Sequence, residues 1–215
     1  MKVCKVNLID PQPEIIKLAA EVLKSGGLVI YPTDTAYGLG ANALSEQAIK
    51  KMYEAKGRDF SKPTHVVVQD WIMLKAIAEE NPEAKILFES FVPGPLTIIL
   101  KKKPIIPAFL TANLSTIGVR IPNLKLTKAL SKEVNFPYTT SSANLSGGRT
   151  PYTANEAIEQ IGQYVDLVLD AGELPRVSPS TIVDTTYTPL RILREGSITK
   201  EEIERVLGDT LRLQV

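Results

Sequence analysis

Ile15, Leu18, Ala19, Val22 and Leu23 recur at the spacing of one helix face, and Gly26-Gly27 follows where helices commonly end. The spacing predicts an amphipathic helix over residues 13–25. Leu28-Val29-Ile30-Tyr31 is a short apolar run closed by Pro32, the pattern of a buried strand feeding a loop, here residues 33–40. A second helix is expected over 46–55 and a strand over 64–68, joined by the basic segment KGRDFSK. Helical stretches near 71–80 and 83–91 precede a strand over 96–100, and Ile117-Gly118-Val119-Arg120-Ile121 reads as another strand before Pro122. Thr153 and Thr199 are each followed three residues later by a glutamate, Glu156 and Glu202, so each capping box should open a helix. Further strands are expected at 165–169, 180–184 and 190–194. Strands interleaved with helices imply an α/β sheet. With no long Gly/Ser- or Pro-rich linker and no internal repeat, residues 1–215 are read as one domain.

Composition narrows the setting more than the chemistry. A chain of 215 residues, 44% of them hydrophobic, can bury one sizeable core. Its 25 Lys and Arg against 24 Asp and Glu leave a net charge of +1, so attraction to an anion must come from local patches. Cys4 is the single cysteine, and the start MKVCKVNLID has no apolar run suited to a signal peptide, so a reducing, cytoplasmic location is expected. Apolar runs are only a few residues long, far below the ~20 that cross a bilayer, so no membrane span is expected.

Four segments could carry chemistry, and each also has a structural reading. Lys56-Gly57-Arg58, with Lys62 close behind, could converge as an anion clamp, or could be a solvated helix end complementing the dipole. Residues 139–150, TTSSANLSGGRT, concentrate hydroxyls, an amide and glycines that suit phosphate, ribose or an amino acid, and equally suit a plain loop. Residues 32–40 leave a buried strand, where α/β proteins place binding loops, unless Asp34 simply bonds its own turn. Arg120 lies in an apolar strand pattern, where a buried guanidinium needs an anion such as a substrate carboxylate; at a sheet edge it would face water.

Standard devices are missing: the sequence has no G-x-x-x-x-G-K-[ST] loop and no well-placed G-x-G-x-x-G. With one histidine and one cysteine, a zinc site of the usual type cannot be built, and no metal ligands are assigned. His65 is read as structural, because a Ser-His-Asp arrangement would rest on it alone. Trp71 is read as packing, since one aromatic makes no nucleic-acid platform.

Six ordered blocks change the picture: PTDTAYGLGANA (32–43), KGR (56–58), STIGVRIP (115–122), SSANLSGGRTP (141–151), STIVD (180–184) and LREGSIT (193–199). Together they closely resemble the YrdC-like family of threonylcarbamoyl-AMP synthases over nearly the whole chain. The resemblance implies a twisted mixed α/β sheet with flanking helices and one open concave face. It implies condensation of L-threonine, bicarbonate and ATP into threonylcarbamoyl-adenylate and pyrophosphate, serving tRNA modification, with magnesium accompanying the phosphates. The lysine-x-arginine and serine-x-asparagine hallmarks fall on Lys56, Arg58, Ser142 and Asn144, which the resemblance makes the catalytic quartet. Thr35, Arg120, Thr140 and Ser180 would hold the threonine, with Arg120 on its carboxylate. Arg58, Lys62, Thr116, Ser142, Thr150 and Arg194 would hold the nucleotide.

One departure stands out: where many longer relatives carry a histidine, two residues after His65, this chain has Val67. Lys62-Pro63 is the version typical of members lacking that histidine. The chain ends at Val215 and is read as a short form without the linker and C-terminal domain of longer relatives. Expected partners are the three substrates, a downstream threonylcarbamoyl transferase and tRNA. A YciO-like paralogue acting on another adenylate or carbamoyl compound, or a non-catalytic RNA-binding module, would share the same motifs.

Overall fold

The computed structural model describes residues 1–208; Val215 lies outside them. Its strands divide between two mixed sheets where the sequence predicts one. The first runs β1 (Lys2–Lys5), β9 (Leu167–Asp170), β2 (Val29–Pro32), β3 (Tyr37–Gly40), β8 (Ser141–Ser142). The second runs β11 (Arg191–Arg194), β10 (Thr181–Asp184), β5 (Leu96–Lys101), β6 (Thr116–Arg120), β4 (Val66–Val67), β7 (Tyr138–Thr139). Only Thr140 separates β7, paired antiparallel with β4, from β8, paired antiparallel with β3, so the chain passes between sheets at that residue.

The segment expected as a loop over 33–40 is half strand. Thr33 Oγ1 donates to Ala36 O (2.7 Å) and accepts from Ala36 N–H (3.2 Å), which closes a tight turn. The following four residues then pair back on β2, Val29 opposite Gly40 and Pro32 opposite Tyr37, all of them buried.

Helix α1 (Pro13–Lys24) starts with proline in its first turn and buries Ile16, Ala19, Ala20 and Leu23. It shares a core cluster with α5 (Lys125–Val134), a helix the hydrophobic pattern does not predict. The buried face of α5 includes Thr127 and Ser131, which interrupt the apolar stripe. Both hydroxyls are satisfied internally, Thr127 on Leu124 O (2.9 Å) and Ser131 with the Tyr138 hydroxyl (3.0 Å).

Side chains cap the other helices. Ser45 caps α2 (Glu46–Lys56), Asp70 caps α3 (Trp71–Ile77) and Asn81 caps α4 (Pro82–Phe91). Helix α3 is shorter than predicted because Ala78 turns extended and bridges to Lys102. Trp71 packs edge-on against Phe88 (4.8 Å between centroids) and donates to Glu80 (3.2 Å), a packing role. Both predicted capping boxes form, at α6 (Ala154–Ile161) and α7 (Lys200–Leu207). Among the described residues no helix is long and apolar enough to cross a membrane.

Candidate functional site

Residues from both sheets line a cavity of about 300 Å³. The β2–β3 turn contributes Thr35, the crossing between sheets Thr140 and Ser142, and strand β6 Arg120. Ser180 precedes β10, Arg194 ends β11, and Arg58 enters from the turn after α2.

Arg120 is only 6% exposed, so its sequence alternative as a water-facing edge residue is corrected: β6 lies inside its sheet between β5 and β4. Its partner is Asp34, whose carboxylate accepts from Arg120 Nη2 at 2.6 Å with only 13% of the Asp34 side chain exposed. Asp34 Oδ2 also accepts from Asn123 N–H (3.0 Å), which fixes the carboxylate in turn. Arg120 Nη1 reaches Thr35 Oγ1 at 3.4 Å, and Arg120 Nε is buried without a partner among the described residues. Asp34 was not among the expected site residues. The apolar context that marks Arg120 as needing an anion was the available signal, but 86 residues separate the two.

The expected clamp of Lys56, Arg58 and Lys62 does not converge. Gly57 adopts φ 53°, the left-handed cap geometry that glycine tolerates, and ends α2 so that Lys56 and Arg58 diverge. Lys56 is buried and turns away from the cavity. Its Nζ donates to Ser142 O, to Asn144 O (2.7 Å) and to Asn144 Oδ1 (3.3 Å). Burial, reinforced by the Arg58 charge, lowers its pKa from 10.5 to about 7. Three oxygen acceptors nevertheless match the three N–H groups of an ammonium.

Ser142 Oγ donates to Asn144 Oδ1 (2.5 Å), and Asn144 Nδ2 donates to Gly148 O (2.7 Å). Lys56 and Asn144 therefore brace the loop that carries Ser142, and neither lines the cavity. Arg58 does, held by Pro63 O (2.9 Å) and Lys62 O (3.3 Å). Lys62 itself is exposed and outside the lining. Thr116 shares the β6 face of Gly118 and Arg120 by strand alternation but lies beyond the cavity.

Arg194 Nε and Nη2 grip Ser180 O (3.0 and 2.8 Å), and Nη2 also reaches Ser180 Oγ (3.0 Å). That hydroxyl pairs with Thr97 Oγ1 at 3.0 Å, and Thr97 is a lining residue the motifs do not pick out. Thr150 completes the rim. His65, read from sequence as structural, also lines the cavity. Burial and then the charges of Arg194, Arg120 and Arg58 lower its pKa from 6.5 to about 4. The lining thus holds three guanidiniums, many hydroxyls and a neutral imidazole, with no carboxylate among its described side chains. Such a site favours a ligand of several negative charges.

Comparison with known proteins agrees with this geometry. The Sua5/YciO/YrdC family, described as "Telomere recombination", matches residues 21–196. The threonylcarbamoyl-AMP synthase of Pyrococcus abyssi is 38% identical over 195 residues, 90% of this chain, and this chain spans 57% of that protein's length. The crystal structure of P. abyssi Sua5 complexed with L-threonine superposes with a TM-score of 0.94 at 36% identity, covering 100% of this chain and 63% of that one. Escherichia coli YciO superposes with a TM-score of 0.84 at 26% identity, covering 92% of this chain and 97% of its own. Motif order, fold and cavity lead to one conclusion: the chain belongs to the Sua5/YciO/YrdC family.

Proposed function

We propose that this chain synthesises L-threonylcarbamoyl-adenylate from L-threonine, bicarbonate and ATP, releasing pyrophosphate. The observation that carries the reading is a single cavity in which Arg120 beside Thr35 can take a carboxylate while Arg58 and Arg194 remain for phosphates. The name of the P. abyssi relative and the threonine bound to Sua5 support it. In this reading Thr35, Arg120, Thr140 and Ser180 hold the amino acid. Arg58, Ser142, Thr150 and Arg194 hold the nucleotide, with Lys62 and Thr116 meeting it outside the cavity. Lys56 and Asn144 are positioning residues that fix Ser142.

The carbamate oxygen attacks the α-phosphorus and the bond to pyrophosphate breaks. The protein supplies orientation and cationic stabilisation, with no nucleophile of its own. Because no described side chain of the lining is a carboxylate, magnesium enters as a companion of the ATP phosphates. We further read the chain as one domain, acting in the cytoplasm ahead of a transferase that delivers the product to tRNA. Calorimetry with threonine and then ATP, on wild type and Arg58→Ala, tests the residue roles. Arg58→Ala should weaken ATP binding and leave threonine binding largely intact; equal losses for both ligands contradict the assignment.

A second reading, a YciO-like paralogue acting on another adenylate or carbamoyl compound, rests on the likeness to E. coli YciO. Substrate profiling separates the two.

A further inference from the structure

His65 is the one histidine in the sequence. It directly precedes β4, and its carbonyl accepts from Thr140 N–H (3.0 Å), which fixes the backbone at the crossing between the sheets. Its ring lies on Gly118 of β6. A Cβ at position 118 would fall 2.5 Å from His65 Cδ2 and 3.1 Å from Nε2, so only a glycine leaves room for the ring. The residue lines the cavity, and neither ring nitrogen has a hydrogen-bond partner among the described residues. The charged groups facing it are Arg58 from the turn after α2, Arg120 from β6 and Arg194 from β11. Asp34, on the β2–β3 turn, pairs with Arg120.

A neutral imidazole with free nitrogens is an unusual component of a cavity otherwise supplied with guanidinium donors, because it can act as an acceptor and as a base. An amino acid seated with its carboxylate on Arg120 brings an ammonium, which the three arginines cannot accept.

We propose that His65 is a catalytic residue of this site, its free ring nitrogen taking the proton from the ammonium of the bound amino acid. The inference rests on the synthase reading. Loss of that proton to the imidazole leaves a neutral amine whose lone pair forms the C–N bond to the bicarbonate carbon. The C–OH bond breaks, and the departing hydroxide leaves as water with one remaining N–H proton. The product is a carbamate bearing one N–H, and the imidazolium returns its proton to solvent.

The arginines also time the step. Without ATP, burial first and then the arginine charges hold the imidazole weakly basic, with a pKa of about 4. A polyphosphate seated on Arg58 and Arg194 offsets their charge and strengthens the base, so the proton transfer, uphill without ATP, becomes less so once ATP is present and is drawn forward by C–N bond formation.

Because the chain has a single histidine, NMR of the tag-free protein follows this ring without ambiguity. Its titration midpoint should lie near 4 in the free protein and rise by about one pH unit or more with saturating ATP. His65→Asn should bind threonine within about threefold of wild type, lose about 100-fold or more in turnover, and lose the acid limb of its pH profile. The proposal is overturned by a midpoint that ATP does not move, or by a His65→Asn enzyme with near-wild-type turnover and an unchanged acid limb. A wild type that releases no threonine-dependent pyrophosphate overturns the synthase reading and this proposal with it. An active wild type matched by an equally active variant overturns this proposal alone.

Discussion

Replacing Asp34 with alanine removes the anion that pairs with Arg120 inside the fold. The pair is 2.6 Å apart, with the two side chains 6% and 13% exposed. Water offers no charge to replace the lost partner. Only Thr35 Oγ1, at 3.4 Å, would remain on the guanidinium, and Arg120 Nε already lacks a partner among the described residues. Removing one partner of a buried ion pair costs about 3–5 kcal/mol, because the other charge is left uncompensated. Asp34→Ala should therefore lose about that much in urea unfolding at pH 7. Asp34→Asn, which keeps an acceptor but not the charge, should lose about half. The double variant Asp34→Ala/Arg120→Met should recover most of the loss, since no buried charge is then orphaned. A single variant within about 1 kcal/mol of wild type, or a double variant no more stable than the single, refutes the reasoning.

Two further outcomes follow from the buried cations and the imidazole. Lys56→Met strips the ammonium from Ser142 O, Asn144 O and Asn144 Oδ1. Unsatisfied buried acceptors cost about 1–3 kcal/mol each, offset in part by not burying the charge. A net loss of about 1–3 kcal/mol in urea unfolding is expected, with weaker ATP binding by calorimetry than the stability change explains, because Ser142 loses its brace. The folded state holds His65 at about 4 against 6.5 when free, so the unfolded chain binds more protons between those values. This contribution to stability is intact above pH 6.5 and is lost as pH falls toward 4, by about 3 kcal/mol in all. His65→Asn should flatten that part of the pH–stability curve, and a curve unchanged by the substitution speaks against it.

Local patterns made much of the fold legible. The stripe through Ile15, Leu18, Ala19, Val22 and Leu23 marks α1, although its buried face also takes in Ile16 and Ala20, and the Thr153–Glu156 and Thr199–Glu202 pairs mark the starts of α6 and α7. Helix α5 was hidden because Thr127 and Ser131 stand on its buried face, where hydrogen bonds to Pro122 O, Leu124 O and the Tyr138 hydroxyl make that burial tolerable. Strand β3 was hidden because Gly38 and Gly40 carry no strand preference and the antiparallel partner supplies the pairing. Strands β7 and β8, two residues each, are too short to show a period.

In the site, the ordered motifs found most of the lining, including Thr35, Arg58, Arg120, Ser142, Ser180 and Arg194, and the resemblance added Thr140. Spacing could not say that Lys56 turns inward while Arg58 turns outward, since the left-handed Gly57 decides that in three dimensions. Nor could it join Asp34 to Arg120, or set His65 on Gly118, because those contacts exist only once the strands are paired.

The central claim is that one cavity gathers threonine, bicarbonate and ATP for a single condensation. It is tested most directly by measuring pyrophosphate release from ATP by the purified chain, with threonine and bicarbonate each omitted in turn. Release is expected only when both are present. Release that continues without either one contradicts it.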